Sequence, residues 1–244
     1  MKIQGLYTLY KKELADHIRS KRFMIILLIV AVTCLASVYS AGLGIRAAVK
    51  EEQNSFVFLK LFTSSGGTLP SFATFISFLG PLVGLALGFD AINGERNRGT
   101  LSRLLAQPIH RDAIINAKFL AACTVLAIML ITLSLAVAGF GIILIGIPPI
   151  LEELSRILIY ILLTIVYMAL WLALSQLFSL LFKQTATSAL AGIAVWLFFV
   201  VFMDLFAGLI ADGLFPVGEH SPGDVVLRNY KVRQGVGRLS PTML

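Results

Sequence analysis

Charge is scarce in this chain. Asp, Glu, Lys and Arg make up 14% of its 244 residues, against 58% hydrophobic, whereas a soluble domain carries roughly a quarter charged residues. The mean hydropathy is +0.89. That balance excludes an ordinary soluble globular protein, although the length alone would accommodate one or two such domains. Cysteine is limited to Cys34 and Cys123, both inside apolar runs and outside any CxxC or Cys/His grouping. That placement argues against a structural disulfide or a zinc site, and the two thiols read as small buried apolar side chains. No G-x-x-x-x-G-K-[ST] occurs, so the chain has no P-loop for ATP. No Rossmann fingerprint, metal-ligand set or Ser/His/Asp arrangement stands in a plausible context, so no catalytic residue is assigned and the chain is read as no enzyme by itself. The formal net charge is +7, but the basic residues are spread through short segments rather than pooled, which argues against nucleic acid and for a membrane surface.

Long apolar runs are abundant. A lipid core is crossed by about 20 mainly apolar residues in a helix, and five segments qualify: residues 23–43, 72–89, 113–139, 157–182 and 186–210. Inside lipid every backbone polar group must be bonded internally, so each is expected to be a helix. The expected fold is therefore all-α, a polytopic transmembrane bundle over residues 23–211. The first run is preceded by more than twenty residues of basic leader, too long for a signal peptide, and reads as a retained span. Within that leader (residues 1–22), Ile3, Leu6, Tyr7, Tyr10, Leu14 and Ile18 recur at three- and four-residue steps, the pattern of an amphipathic helix in the membrane interface.

Lysine and arginine set the orientation. Lys2, Lys11, Lys12, Arg19, Lys21 and Arg22 precede the first span. Arg96, Arg98, Arg103, Arg111 and Lys118 lie between or just inside the second and third spans, and Lys183 between the fourth and fifth. The other side carries Arg46, Lys50, Lys60 and Arg156, with Arg228, Lys231, Arg233 and Arg238 in the tail. Close to the spans the bias places the N-terminus in the cytoplasm of a multi-pass cell-membrane protein. Residues 44–71 then form an outer loop. In "IPPILEELSR" (147–156) the two prolines are expected to end one helix and let the next begin. Residues 212–244 are expected to be an extracytoplasmic segment.

The most informative stretch is the polar interruption of residues 90–112, between the second and third spans. Asp90, Asn93, Gly94 and Glu95 are costly in lipid. In "RGTLSRLLAQP", Thr100 is placed to cap a short helix whose Leu101, Leu104 and Leu105 share a face, and Pro108 is placed to end it. A short helix with an apolar stripe in water requires a cover for that stripe.

"GERNRGTLSRLLAQPIHR" resembles the cytoplasmic signature of ABC-2 type transporter permeases, roughly E-x-x-x-G-T-L-x-x-L-L-x-x-P-[IV]-x-R. Glu95, Gly99, Thr100, Leu101, Leu104, Leu105, Pro108, Ile109 and Arg111 match it, and Lys118 fits its continuation. The likeness is greatest to the branch linked with multicopper-enzyme maturation and antibiotic export, and it extends over nearly the whole chain. It implies the permease subunit of an ATP-driven exporter, with two permease copies, identical or different, and separate cytoplasmic ATPase subunits that bind ATP and Mg; this chain itself binds no cofactor. It implies that residues 90–112 dock on the ATPase as a coupling helix. Leu101, Leu104 and Leu105 would form the docking face, Glu95 and Arg111 the anchors, and Gly99 and Pro108 the ends, with Thr100 between. It also implies six spans, so the tail is expected to precede a sixth that this sequence does not include.

Polar residues inside the spans are the remaining candidates. Asp204 in the fifth span and Gln176 in the fourth are weak substrate-binding candidates, each with a plainer reading as an inward-facing or helix-bonding residue, as for Ser175. Pro81 and Gly84 read as a kink or a close helix approach. "EELSR" (Glu152–Arg156) is one residue short of the E-E-x-x-x-R spacing of intramembrane CAAX-type proteases. His17, His110 and His220 all lie outside the spans, so such a glutamate lacks a partner for activating water; the acids read instead as a favourable helix N-terminus. Two other classes stay open on the residues alone: an ion-coupled secondary transporter with Asp204 as its coupling acid, and a membrane assembly or anchoring protein.

Overall fold

The structure is a computed structural model, and it describes residues 2–48, 56–64, 69–102, 106, 111–146 and 148–214. Every regular element among them is an α-helix: α1 (Lys2–Arg19), α2 (Lys21–Ala48), α3 (Val57–Thr63), α4 (Phe72–Gly88), α5 (Asn93–Asn97), α6 (Arg111–Ile145), α7 (Leu151–Leu181) and α8 (Thr185–Leu214). Five helical segments among the described residues are long and apolar enough to cross a membrane. The all-α polytopic expectation holds.

The chain divides into two compact units, residues 1–196 and 197–244. In the first, one continuous core joins Cys34 and Val38 of α2, Phe58 and Leu61 of α3, Phe72 and Ile76 of α4, Leu126 and Met129 of α6, and Met168 and Leu172 of α7. The outer faces stay apolar: Ile25, Leu28, Ile29 and Val32 on α2, and Leu158, Leu162, Val166 and Leu170 on α7, are all exposed. Stripes of aliphatic side chains repeating every three or four residues are unfavourable in water and suited to lipid. In the second unit, Phe198, Phe202 and Phe206 stack one turn apart along α8, with ring centroids 4.8 and 6.3 Å apart.

The α4–α7 pair sets the tightest spacing. Gly80, Gly84 and Gly88 recur every fourth residue on α4, so they share one face. A Cβ on Gly84 would stand 2.7 Å from the Met168 carbonyl oxygen, and one on Gly88 would stand 2.9 Å from that of Leu172. The missing side chains let the two backbones approach, as small residues do between membrane helices. Ser175 Oγ then reaches across to donate to the Leu85 carbonyl at 2.7 Å.

Several boundaries differ from expectation. Residues 44–71 are not simply a loop, because α2 continues to Ala48 and α3 occupies Val57–Thr63. The third span continues to Ile145, and the two prolines do not stop it. Gly146 does, at φ 78°, donating its N–H to the Ile142 carbonyl at 2.8 Å, the left-handed glycine stop common at helix ends. The acids of the next helix divide their work. Glu153, 2% exposed, accepts from the backbone N–H of Ile150 at 3.1 Å and of Leu59 at 3.0 Å, so one carboxylate caps α7 and holds α3. Glu152 pairs with Arg156 on the surface at 2.6 Å.

Candidate functional site

α1 lies against the start of α6. Leu9 is buried with Ile114 and Ala117, flanked by Leu6 and Tyr10. The Thr124 hydroxyl donates to the Leu120 carbonyl at 2.8 Å, so the Tyr10 hydroxyl, 3.0 Å away, is the donor between the two helices. The inward face of α1 is thus Leu6, Leu9, Tyr10, Glu13 and Leu14. Tyr7 and Ile18, expected on that face, are exposed. The leader is helical as expected, one face of it is seated on protein, and the register is set by Leu9.

This register brings Glu13 to Lys118, about two turns into α6. Lys118 Nζ stands 2.8 Å from Glu13 Oε2 and 3.1 Å from Glu95 Oε1. Lys118 is 4% exposed and Glu13 7%. A lysine taken this far from water retains its charge only with close counter-charges. Lys12 joins from the rim, 3.3 Å from Glu13 and 3.3 Å from Asp16. Burial acts to lower the Lys12 pKa, but the Glu13 and Asp16 carboxylates outweigh it and hold the ammonium above its ordinary value. At His17 burial prevails, with Lys118 adding to it against the opposing Glu13, and the imidazole is held below its ordinary value.

Glu95 comes from α5, an element not foreseen in the polar interruption. α5 is held from its first residues. Ser179 Oγ accepts from the N–H of Ile92 at 3.0 Å and of Asn93 at 3.1 Å, and Asn93 Nδ2 donates to the Gln184 carbonyl at 3.4 Å. Just before it, Arg22 pairs with Asp90 at 3.0 Å and lies 4.9 Å over the Phe89 ring. The helix ends at Gly99, with φ 70°. Gly99 N–H returns to the Arg96 carbonyl and Thr100 N–H to that of Glu95, at 3.1 and 3.0 Å, the paired bonds of a Schellman stop. Gly99 therefore ends α5 before helix resumes at Leu101.

The Thr100 hydroxyl is turned back on Glu95 Oε2 at 2.6 Å. It fastens the turn to the same carboxylate that meets Lys118. Helix resumes at Leu101 and Ser102, and Ala106 N–H bonds the Ser102 carbonyl at 3.0 Å. Leu101 is half-buried. Leu104, Leu105 and Pro108 lie outside the described residues, as do the side chains of Arg111, which opens α6, and of Asp204, within α8.

A cavity of about 290 Å³ opens among these groups. Lys12, Glu13, Asp16, Arg22, Asp90, Glu95 and Lys118 line it, and Gln176 of α7, 4% exposed, lies at its wall. Gln176, singled out in the sequence, thus lines the same cavity as Glu95 and Lys118. The structure adds Glu13, Asp90, Arg22, Asn93 and Ser179, which the sequence reading did not assign to the site. Glu13 carried a signal: an acid in register with Leu6, Leu9 and Tyr10 stands on the apolar face of its helix.

Comparison with known proteins agrees with this architecture. A family model described as an ABC-2 family transporter protein matches residues 7–242. The chain is 31% identical over 229 residues to a probable ABC transporter permease protein NosY of Pseudomonas aeruginosa, covering 89% of this chain and 74% of that one. It is 28% identical over 224 residues to a protein of the same name from Stutzerimonas stutzeri, with the same two shares covered. With its membrane-length helices and the Glu95–Thr100 turn in place, the chain belongs to the ABC-2 family of transporter proteins.

Proposed function

We propose that this chain is the permease subunit of an ATP-driven ABC-2 transporter that moves its substrate outward. A separate ATPase subunit binds ATP and Mg, and a second permease copy completes the complex. In this reading the end of the bundle bearing α1 and α5 faces the cytoplasm, as the basic residues near the spans favour. The curated relatives are named as permeases, and that role is extended here to this chain.

The observation that carries the reading is the Glu95–Gly99–Thr100 turn. It ends one helix sharply, starts another at Leu101, and is fastened through Glu95 to α6. A turn tied through Glu95 to a long membrane helix is suited to carry a two-state ATPase motion into the membrane. Leu101, Leu104 and Leu105 form the docking face, and Glu95, Gly99, Thr100, Pro108 and Arg111 shape and hold it. Gln176, in the lining of the polar cavity, is a candidate for substrate contact, as is Asp204.

The test is co-purification of the full chain with its cognate ATPase from membranes. Leu104→Asp combined with Leu105→Asp is expected to abolish the complex while the chain still inserts. Undiminished complex from that variant overturns the docking assignment. A wild-type chain that neither binds nor stimulates the ATPase overturns the whole reading.

A further inference from the structure

The Lys118 site contains one more carboxylate than a buried lysine requires. A single acid neutralises an ammonium, yet Lys118 holds two within salt-bridge distance, at 2.8 and 3.1 Å. They belong to different elements. Glu13 is on α1, Glu95 is on α5, and Lys118 stands between them on α6. Lys12 at the rim pairs with Asp16 as well as with Glu13, and both Lys12 and Asp16 are exposed. Bringing a second carboxylate out of water to one buried ammonium costs desolvation, and what the geometry gains is a tie from a second element.

Two further bonds point the same way. The Thr100 hydroxyl fixes the second Glu95 oxygen, and Tyr10, about one turn before Glu13 on α1, bonds Thr124 of α6. Each acid thus stands on an element that is fastened independently, and Lys118 Nζ is the shared atom.

We propose that Lys118 is a positioning residue that locks α1 to the coupling turn, so that the N-terminal helix and residues 95–100 move as one body when the ATPase closes. This rests on the permease reading above, and it adds α1 to the parts that transmit the ATPase motion. The lysine has no chemical step. It converts two separate elements into one lever by being bonded to both, and a lever linked at one carboxylate only would transmit less of the displacement.

A purely structural lysine and a bridging one respond differently to loss of one acid. Glu13→Gln and Glu95→Gln each leave Lys118 with one carboxylate, so the buried ammonium stays compensated in both. If Lys118 needs only neutralisation, either single variant behaves as wild type and only the double variant fails. If it bridges, each single variant uncouples.

The experiment uses the full chain reconstituted with its ATPase in liposomes. Permease-dependent ATP hydrolysis is read together with the distance between spin labels at Ala15 and Asn97, both exposed, with Cys34 and Cys123 replaced. In the wild type the distance is expected to be narrow and identical with and without trapped ATP. In either Gln variant it is expected to broaden and shift on trapping, with hydrolysis stimulation lower by about five- to tenfold, and Glu13→Gln, which lies outside the docking segment, is expected to retain co-purification with the ATPase. Single variants with wild-type stimulation and an unchanged distance overturn the bridge. Loss of co-purification in the wild type instead removes the permease reading, so the two failures are separable. If a Gln variant is poorly folded, Glu13→Asp supplies the second test: it retains the charge but shortens the reach, and wild-type behaviour from it also overturns the bridge.

Discussion

Replacing Gly84 by alanine adds one methyl group where two helix backbones meet. The new Cβ would stand 2.7 Å from the Met168 carbonyl oxygen, 3.1 Å from the Leu172 nitrogen and 3.2 Å from Trp171 Cβ. Two of these neighbours are backbone atoms, so no rotamer change relieves them and α4 must move away from α7. Overpacking of this kind costs about 1–3 kcal/mol, partly offset by the ~1 kcal/mol that alanine gains over glycine inside a helix. Gly139 on α6 supplies the control, because a Cβ there meets nothing within 4 Å, leaving only the helix gain. The packing term between the two variants is about 2 kcal/mol, and at roughly 3 °C per kcal/mol for a chain of this size their unfolding temperatures should differ by about 6 °C, Gly84→Ala lower. The assay is thermal unfolding in one detergent, followed by intrinsic fluorescence. Adding Gly88→Ala should cost less than its single effect, because one shift of α4 relieves both contacts. Equal unfolding temperatures for Gly84→Ala and Gly139→Ala would refute the reasoning that backbone approach, rather than glycine's flexibility, governs this face.

Glu153→Ala removes the acceptor shared by Ile150 and Leu59 and should lower stability by about 2–3 kcal/mol, whereas Glu152→Ala, losing only an exposed pair, should change it by less than ~0.5 kcal/mol; the same unfolding assay compares them, and equal effects contradict the capping role. Ser179→Ala leaves two buried N–H groups of Ile92 and Asn93 without their acceptor and should cost about 1–3 kcal/mol, seen as faster hydrogen exchange at residues 92–97; unchanged exchange there contradicts the anchor. His17 faces Glu13, Asp16, Asp90 and Lys118, and its pKa is lowered on folding. Its contribution to stability is therefore complete above its unfolded value of about 6.5 and is lost as pH falls through the folded value. Between pH 8 and pH 5 the wild type should lose more unfolding temperature than His17→Asn, and parallel slopes would remove the assignment.

The spans were legible because lipid imposes a rule on sequence: a run long enough to cross must be apolar and helical. Where water or packing replaces lipid, the rule weakens. α3 and α5 are too short for periodicity to reveal them, and α5 was hidden further because Gly99 reads from sequence as the start of the next element rather than the stop of this one. Gly146 was passed over for the more conspicuous prolines beyond it. In α1 the pattern was right and the register was not, since counting Tyr7 and Ile18 as apolar concealed that Leu9 and Glu13 face the bundle. Glu95 stands out in the sequence as an acid costly in lipid and as a match to the family signature, and neither names its partners. Its meeting with Lys118 and Glu13 unites residues more than a hundred positions apart, and no local pattern encodes that.

Gly99 has a consequence of a different kind. Its φ is positive, yet a Cβ placed on it would touch nothing within 4 Å. The position therefore demands a handedness and not a volume. Any L-residue must strain to follow the turn, asparagine least among them, while a D-alanine installed by chemical synthesis would fit without displacing an atom. The course of the chain from Glu95 toward Leu101 is thus a chiral instruction written in one torsion.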